Sequence, residues 1–225
     1  LLHRATAPQR DACTERNSAG AAMAFTHVVV LKLQQSTSAE QKAAIVAGLR
    51  ALPQQIPEVR TYRAGVDLGL DPSGCHIGIV GEFDSAEAYS AYAKHPAHVS
   101  LVTEQIKPVL AKRVAVQFSP DATAKLPARA APPALTHCVL LKLKADATAA
   151  QRQGIIDALS ALPNEIPQIR AYRVGPDTGL DPAKFDIAIV GDFDSEIDYQ
   201  AYSKHNKHTG VIAELIKPIL AERVA

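Results

Sequence analysis

The hydrophobic positions of the chain follow two spacings, one typical of strands and one typical of helices. The run from Thr26 to Leu33 is almost continuously apolar and rich in β-branched residues, which predicts a strand covered on both faces. Ser38, a residue that favours the N-cap position, follows it. Ile45 and Leu49 then recur at helical spacing. A strand followed by a helix is therefore predicted at the start of this pattern.

The same reading predicts three more strands and two more helices. Residues 59–64 and 75–83 are predicted to be strands, and Ser85 is expected to cap the next helix. Pro96 begins another helix, and residues 114–116 belong to a last strand. The resulting order, β-α-β-β-α-β, is that of a ferredoxin-like unit.

Alternation along the strand 75–83 predicts which side chains share a face. Cys75 and Ile77 are expected to point one way, whereas His76 and Gly78 point the other. His76 and Gly78 would then belong to one surface of the sheet.

The chain contains this unit twice. The segment Ala91–His98 recurs as Ala201–His208, 110 residues later, and Thr26–Ala115 aligns with Thr136–Ala225 without a gap. About half of the paired positions are identical. Such a repeat indicates two tandem copies of one domain type.

The repeat divides the chain into four segments. Residues 1–25 have no apolar periodicity and are predicted to be a disordered tail. Residues 26–118 form the first unit, residues 119–135 a Pro- and Ala-rich linker, and residues 136–225 the second unit. The linker is long enough for the units to face each other. The predicted fold class is α+β, with two ferredoxin-like units that pair their antiparallel sheets into an α/β barrel.

The tail leaves two interpretations of the compartment open. Residues 1–22 contain Arg and Ser, as transit peptides do, which would indicate a plastid. Alternatively they are upstream sequence, and Met23, the only methionine, is the natural start. The second interpretation predicts a cytoplasmic protein.

Composition narrows the classes of function. The net charge is +1, with no basic stripe, so nucleic acid is not an expected partner. No apolar run approaches the length of a membrane span. The repeat preserves none of Cys13, Cys75 and Cys138, so a site that both units need does not use a thiol. No metal or cofactor is expected, because Pro96 interrupts the pair His95 and His98.

The chain resembles a known family at these motifs. The strands that begin at His27 and His76, and above all the string His95-Pro-Ala-His98-Val, are similar to the stress-responsive dimeric α/β barrel family of plants and microbes. The resemblance covers both units. It implies a barrel made by two ferredoxin-like units, here within one chain, and a stress- or defence-associated role. A further homodimer is left open.

The motif resembles one member in particular, olivetolic acid cyclase, which closes a polyketide by an intramolecular aldol step. This resemblance implies that His98 is a general base assisted by Tyr92, with His208 and Tyr202 as their counterparts in the second unit. A His beside a Tyr suits proton transfer near neutral pH. Two functions therefore remain open: a binding protein for a small apolar molecule without assured catalysis, and a cyclase-like lyase.

The resemblance and the strand pattern together predict a set of ligand-binding residues. Its members lie on the first and third predicted strands of each unit: His27, Val29, Leu31, His76, Gly78, His137 and Asp186. The aromatic residues that wall the cyclase pocket are aliphatic here, for example Ile45 and Val109, so that substrate is not implied. His98 can also be read as a structural histidine bonded to backbone, and His27 and His137 as core histidines.

Two differences between the units favour the first as a ligand site. Ala188 stands where the first unit has Gly78, which adds a methyl group, and Asp186 stands where it has His76. The first unit is therefore predicted to contain the larger and less charged cavity.

Overall fold

The computed structural model describes residues 25–72, 74–120, 132–182 and 185–225. The predicted tail before Phe25 and most of the predicted linker, residues 121–131, lie outside this range, as does Cys13. The first unit consists of β1 (Phe25–Leu33), α1 (Ala39–Ala51), β2 (Val59–Val66), β3 (Ile77–Phe83), α2 (Ala86–Lys94), α3 (Pro96–Leu101) and β4 (Leu110–Phe118).

The second unit repeats this order. It consists of β5 (Leu135–Leu143), α4 (Ala149–Glu165), β6 (Ala171–Pro176), β7 (Ile187–Phe193), α5 (Glu196–Lys204), α6 (Asn206–Val211) and β8 (Leu220–Val224). After α3 the chain makes a π-helical segment and a 3-10 turn before β4, and α6 is continued in the same way. No helix in the described ranges is both long and apolar enough to cross a bilayer.

Each unit forms one four-stranded antiparallel sheet. The strand orders are β2-β3-β1-β4 and β6-β7-β5-β8, and every pair of neighbours is antiparallel. This order, with the helices connecting the strands, confirms the predicted ferredoxin-like, α+β architecture.

The first helix of each unit begins at a capping box. The hydroxyl of Ser38 accepts a hydrogen bond from the backbone N–H of Gln41, and the side chain of Gln41 accepts from the N–H of Ser38. Thr148 and Gln151 do the same in the second unit. These reciprocal bonds satisfy two N–H groups that would otherwise lack partners.

The two faces of each sheet are covered by different layers. Val29 and Leu31 pack under the helices of their own unit, whereas Val28 and Val30 face the other sheet. The core between the sheets contains residues of both units: Val28, Val30, Val80, Val114, Val116, Phe118, Leu140, Phe185, Ala188, Val190 and Val224. The predicted pairing of the two sheets within one chain is confirmed.

The predicted faces of the third strand need a correction. β3 begins at Ile77 rather than at Cys75, so strand alternation does not extend back to Cys75 and His76. Cys75 packs against the core between the sheets instead of sharing the face of Ile77. Gly78 pairs with Val30, which faces that core. His76 therefore does not share a strand face with Gly78.

Candidate functional site

The residues of the predicted proton-transfer site lie together beneath α2 and α3. The rings of Tyr92 and His98 are 4.5 Å apart, centre to centre. The ring of His27, on β1, lies 6.4 Å from that of Tyr92 and 4.8 Å from that of Tyr89. The hydroxyl of Tyr92 is 2.8 Å from that of Tyr62 on β2. The first unit thus contains a continuous cluster of histidine and tyrosine side chains.

The turn between α2 and α3 explains how His98 reaches Tyr92. His95 ends α2 and caps α3, since its Nδ1 accepts a hydrogen bond from the N–H of Ala97 at 3.2 Å. Pro96 occupies the first position of α3, where a missing N–H costs little. His98 then folds back over α2, with its Nδ1 3.0 Å from the carbonyl oxygen of Ala93. His95 acts as a cap, and no cluster of three or more potential metal ligands occurs in the described ranges.

The surroundings of this cluster favour neutral side chains. Burial lowers the pKa of His98, although its bond to the Ala93 carbonyl opposes this effect. Burial, followed by the neighbouring Tyr62, raises the pKa of Tyr92. The pKa of His27 is well below its ordinary value because the ring is buried and Arg113 lies near. Loss of hydration disfavours the charged form in each case.

The second unit repeats the arrangement. The rings of Tyr202 and His208 are 4.2 Å apart, and Nδ1 of His208 lies 3.2 Å from the carbonyl oxygen of Ser203. The hydroxyls of Tyr172 and Tyr202 are 2.9 Å apart, and burial raises the pKa of Tyr202 to about 12. The cluster is therefore present in both halves despite the changed residues beside His208.

His76 and Asp186 are placed as acceptors for backbone rather than beside the aromatic cluster. Nδ1 of His76 accepts a hydrogen bond from the N–H of Leu33 at 2.9 Å. One carboxylate oxygen of Asp186 accepts from the N–H of Leu143 at 2.8 Å, and the other is bound by Arg152. His76 in the first unit and Asp186 in the second therefore both accept a hydrogen bond from the backbone N–H of the last residue of the first strand, Leu33 or Leu143.

A cavity of about 520 Å³ lies between the two units. Its first wall comes from β2, β3 and the loop after β2, and its second wall from residues 132–138 of the second unit. Of the predicted ligand-binding residues, Gly78 and His137 line this cavity, whereas Val29 and Leu31 lie in the core under the helices. His27, His76, Tyr92, His98, Asp186, Tyr202 and His208 are not part of its lining.

Sequence reasoning missed several residues of this lining. Gly65, Asp67 and Leu68 lie at or just after the end of β2, and Cys138 and Tyr199 contribute from the second unit. The side chain of Leu68 is 56 % exposed at this edge. The sequence contained one signal for these residues, the apolar side chain of Leu68 in the loop after β2. An apolar loop residue does not show which element of the fold lies opposite it.

Two facing antiparallel sheets with helices on their outer sides define a dimeric α/β barrel, built here within one chain. The barrel joins two copies of the same unit, each with a His–Tyr cluster under its helices. The chain belongs to the family of the stress responsive A/B barrel domain, whose model matches residues 25–120 and 135–225.

Three relatives illustrate the similarity. A stress-response A/B barrel domain-containing protein of Arabidopsis thaliana is 25 % identical over 191 residues, which cover 83 % of this chain and 71 % of the relative. A dimeric ferredoxin-like protein of unknown function from Thermobifida fusca is 32 % identical, covers 46 % of this chain and 96 % of its own, and has a TM-score of 0.42. A putative monooxygenase from Fusobacterium nucleatum is 11 % identical over 90 % of both chains, with a TM-score of 0.62. The last similarity shows the fold of both units together.

Proposed function

We propose that this stress-response barrel protein binds a small apolar molecule in the cavity between its two units. The observation that carries the proposal is the cavity itself. Its volume of about 520 Å³ falls within the range of about 300–1,000 Å³ that ligand pockets occupy. Val30, Val80 and Leu135 give it apolar walls, and His137 and Arg63 are among the few polar groups.

The mouth of the cavity supports the same function. Val66, Leu68 and Leu70 line the cavity and are substantially exposed. Large apolar side chains gathered at one edge are typical of a surface that is covered by a ligand or a partner. A ligand in the cavity would remove part of this apolar surface from water, which is favourable.

The proposal is tested by filling the cavity from a glycine. A Cβ at Gly78 would have no other heavy atom within 4 Å, so Gly78→Val adds methyl groups on the face toward the cavity without a clash. We expect the binding of a naphthalene-type fluorescent probe to weaken by about tenfold or more. Gly154→Val, in α4 and equally free of contacts, is the matched control. Equal binding by both variants would contradict the proposal.

A second function, proton abstraction by His98, is favoured by one specific contact. A carbonyl oxygen accepts only, so the bond to Ala93 places the proton of neutral His98 on Nδ1 and leaves Nε2 as a base. The lowered pKa keeps Nε2 unprotonated near neutral pH. Tyr92 is almost completely buried and bonded to Tyr62, so it orients the imidazole rather than contacting a substrate.

The base hypothesis is tested with β-keto substrates, whose protons between two carbonyls are acidic enough for a single imidazole. We expect turnover or proton exchange that His98→Ala abolishes. His76→Ala serves as the control, because His76 bonds the N–H of Leu33 and lies outside the His–Tyr cluster. Turnover that survives in His98→Ala, or that is equally lost in His76→Ala, would reject His98 as the base.

A further inference from the structure

Two kinds of ion pair join the first unit to the second. Pairs of the first kind occur twice, with equivalent residues exchanged between the units. Arg113 on β4 binds Asp181 at 2.6 Å, and Arg223 on β8 binds Asp71 at 2.6 Å. Arg223 stands 110 positions after Arg113, and Asp181 stands 110 positions after Asp71. The two contacts are therefore related by an approximate twofold axis between the units.

Pairs of the first kind do not depend on which units are combined. Because each unit contains both the arginine and the aspartate, two first units could form these bonds with each other, and so could two second units. The buried pairs Arg63–Asp192 and Arg173–Glu82 are of this kind too. Such contacts hold two units together without selecting the combination.

Lys112 and Glu222 form the second kind of pair, in which a position contacts its own equivalent. Lys112 on β4 is bonded to Glu222 on β8, and residue 222 stands 110 positions after residue 112. Two positions further along the strands, Val114 and Val224 belong to the core between the sheets. Strand alternation therefore places Lys112 and Glu222 at the edge of that core, where the approximate twofold axis passes between them.

At this position the charge of one unit meets the charge of the other. Two first units would bring Lys112 against a second Lys112, and two second units would bring Glu222 against a second Glu222. A first unit combined with a second unit places opposite charges there. Juxtaposed like charges suppress a wrong combination of partners, so the Lys112–Glu222 contact favours unlike units.

The neighbouring strands add to the discrimination. Lys112 pairs with Lys32 on β1, whereas Glu222 pairs with Lys142 on β5. Residues that pair directly across antiparallel strands share a face. Two first units would therefore gather two lysines from each unit, whereas two second units would gather one lysine and one glutamate from each. The repulsion is expected to be stronger between two first units.

An aromatic side chain supplies a further contact that depends on the combination. Nζ of Lys112 lies 6.0 Å from the ring centre of Phe185 in the second unit, at the outer limit of a cation–π interaction. The first unit has Cys75 where the second has Phe185, so two first units would lack this contact. In two second units Glu222 would take the place of Lys112 beside the ring, whose face is itself partly negative.

We propose that Lys112 and Glu222 determine which units pair, so that this surface of a first unit fits a second unit and not another first unit. The partner is the second unit of the same chain or, when two chains exchange units, the second unit of another copy. The arginine–aspartate pairs hold any combination together, and the charges at the axis select between combinations. A dimer formed by exchange then contains two barrels, each built from one first and one second unit.

A cycle of charge reversals in the full chain tests the contact. Lys112→Glu creates the like charges of two second units, and Glu222→Lys creates those of two first units. At low ionic strength, where surface charges are little screened, we expect each reversal to raise the equilibrium constant of urea unfolding by about fivefold. The increase should be larger for Glu222→Lys, because more lysines surround it. The double variant restores opposite charges and should unfold like the wild-type chain.

Lys94→Glu provides the matched control for this cycle. Lys94 is exposed at the end of α2, on the outer side of the first unit, and the substitution changes the net charge by the same amount as Lys112→Glu. Its effect should simply add to that of Glu222→Lys. Simple addition for Lys112→Glu and Glu222→Lys as well, with no recovery in the double variant, would overturn the proposal.

Refolding two variants together tests the choice of partner between chains. In a dimer that exchanges units between a Lys112→Glu chain and a Glu222→Lys chain, the two introduced charges face each other in one barrel and the two original charges in the other. Both barrels then have opposite charges at the axis. Either variant alone retains like charges, whether as a monomer or as an exchanged dimer.

We therefore expect the mixture to form severalfold more mixed dimer than either variant alone forms dimer. One chain is labelled with ¹⁵N, both are refolded from urea at low ionic strength, and native mass spectrometry counts the species. A mixture of the Lys94→Glu and Glu222→Lys chains should show no such excess. Mixed dimer no more abundant than the dimers of the separate variants would overturn the proposal.

Discussion

The guanidinium group of Arg173 lies 2.9 Å from the carboxylate of Glu82, although the two residues belong to different units. Arg173 also contacts Asp192 at 3.3 Å, and Arg63 reaches Asp192 from the first unit at 3.2 Å. Arg173 and Asp192 are almost completely buried. These four residues form an ionic cluster that joins the sheets. Removing one partner from a buried pair leaves a charge without compensation, which is strongly destabilising.

Asp192→Asn should therefore lower the free energy of unfolding by about 3 kcal/mol, because it leaves buried guanidinium groups with less compensating charge. Urea unfolding followed by circular dichroism measures the loss. Arg60→Ala removes an exposed pair with Asp84, 3.7 Å apart, and should cost less than about 1 kcal/mol. Similar losses in the two variants would show that the cluster does not hold the units together.

Separating the units should expose the core between the sheets. Residues 25–120 expressed alone would present Val28, Val30 and Val80 to water, which is unfavourable. We expect this fragment to dimerise or aggregate, as measured by sedimentation equilibrium. A monomeric fragment that unfolds cooperatively would show that each sheet is stable without the other.

Acid should destabilise the protein through His27. The pKa of this buried ring is well below its ordinary value when the chain is folded and returns to about 6.5 when it is unfolded. Between these two values the unfolded chain binds the extra proton, so stability falls as the pH drops below about 6.5. A buried histidine with a lowered pKa changes the free energy of unfolding by at most about 1.4 kcal/mol per pH unit.

His27→Phe should flatten this dependence, because phenylalanine has no proton to bind while still packing on Tyr89. The measurement is the free energy of unfolding at several pH values between about 7 and about 5. The wild-type chain should lose stability more steeply than the variant. Parallel curves would mean that His27 is not the residue that titrates.

Within the His–Tyr cluster, we expect Tyr92 to contribute much more to stability than His98. Tyr92 is almost completely buried, so Tyr92→Ala should cost about 3–5 kcal/mol. His98 is only partly buried and bonds to the backbone, so His98→Ala should cost on the order of 1 kcal/mol or less. Thermal and urea unfolding of both variants measure the difference. A loss of several kcal/mol in His98→Ala would mark His98 as structural.

Much of the fold was predictable from the chain alone. The repeat at 110 positions, the strand that begins near Thr26 and the helix capped by Ser38 were all predicted and are present. These features depend on side-chain periodicity and on hydrogen bonds between residues three positions apart, both of which are local. The placement of His98 beside Tyr92 followed from the resemblance of the motif to a known family.

Only the tertiary structure decided what lies between the units. Periodicity shows that one face of a strand is apolar, but it does not show which residue of a distant strand stands opposite. Phe118 of the first unit packs against Gly175 on β6 of the second unit, and no local pattern around either residue indicates this contact. Packing between sheets depends on contacts distant in sequence, whereas periodicity shows only which face of a strand is apolar.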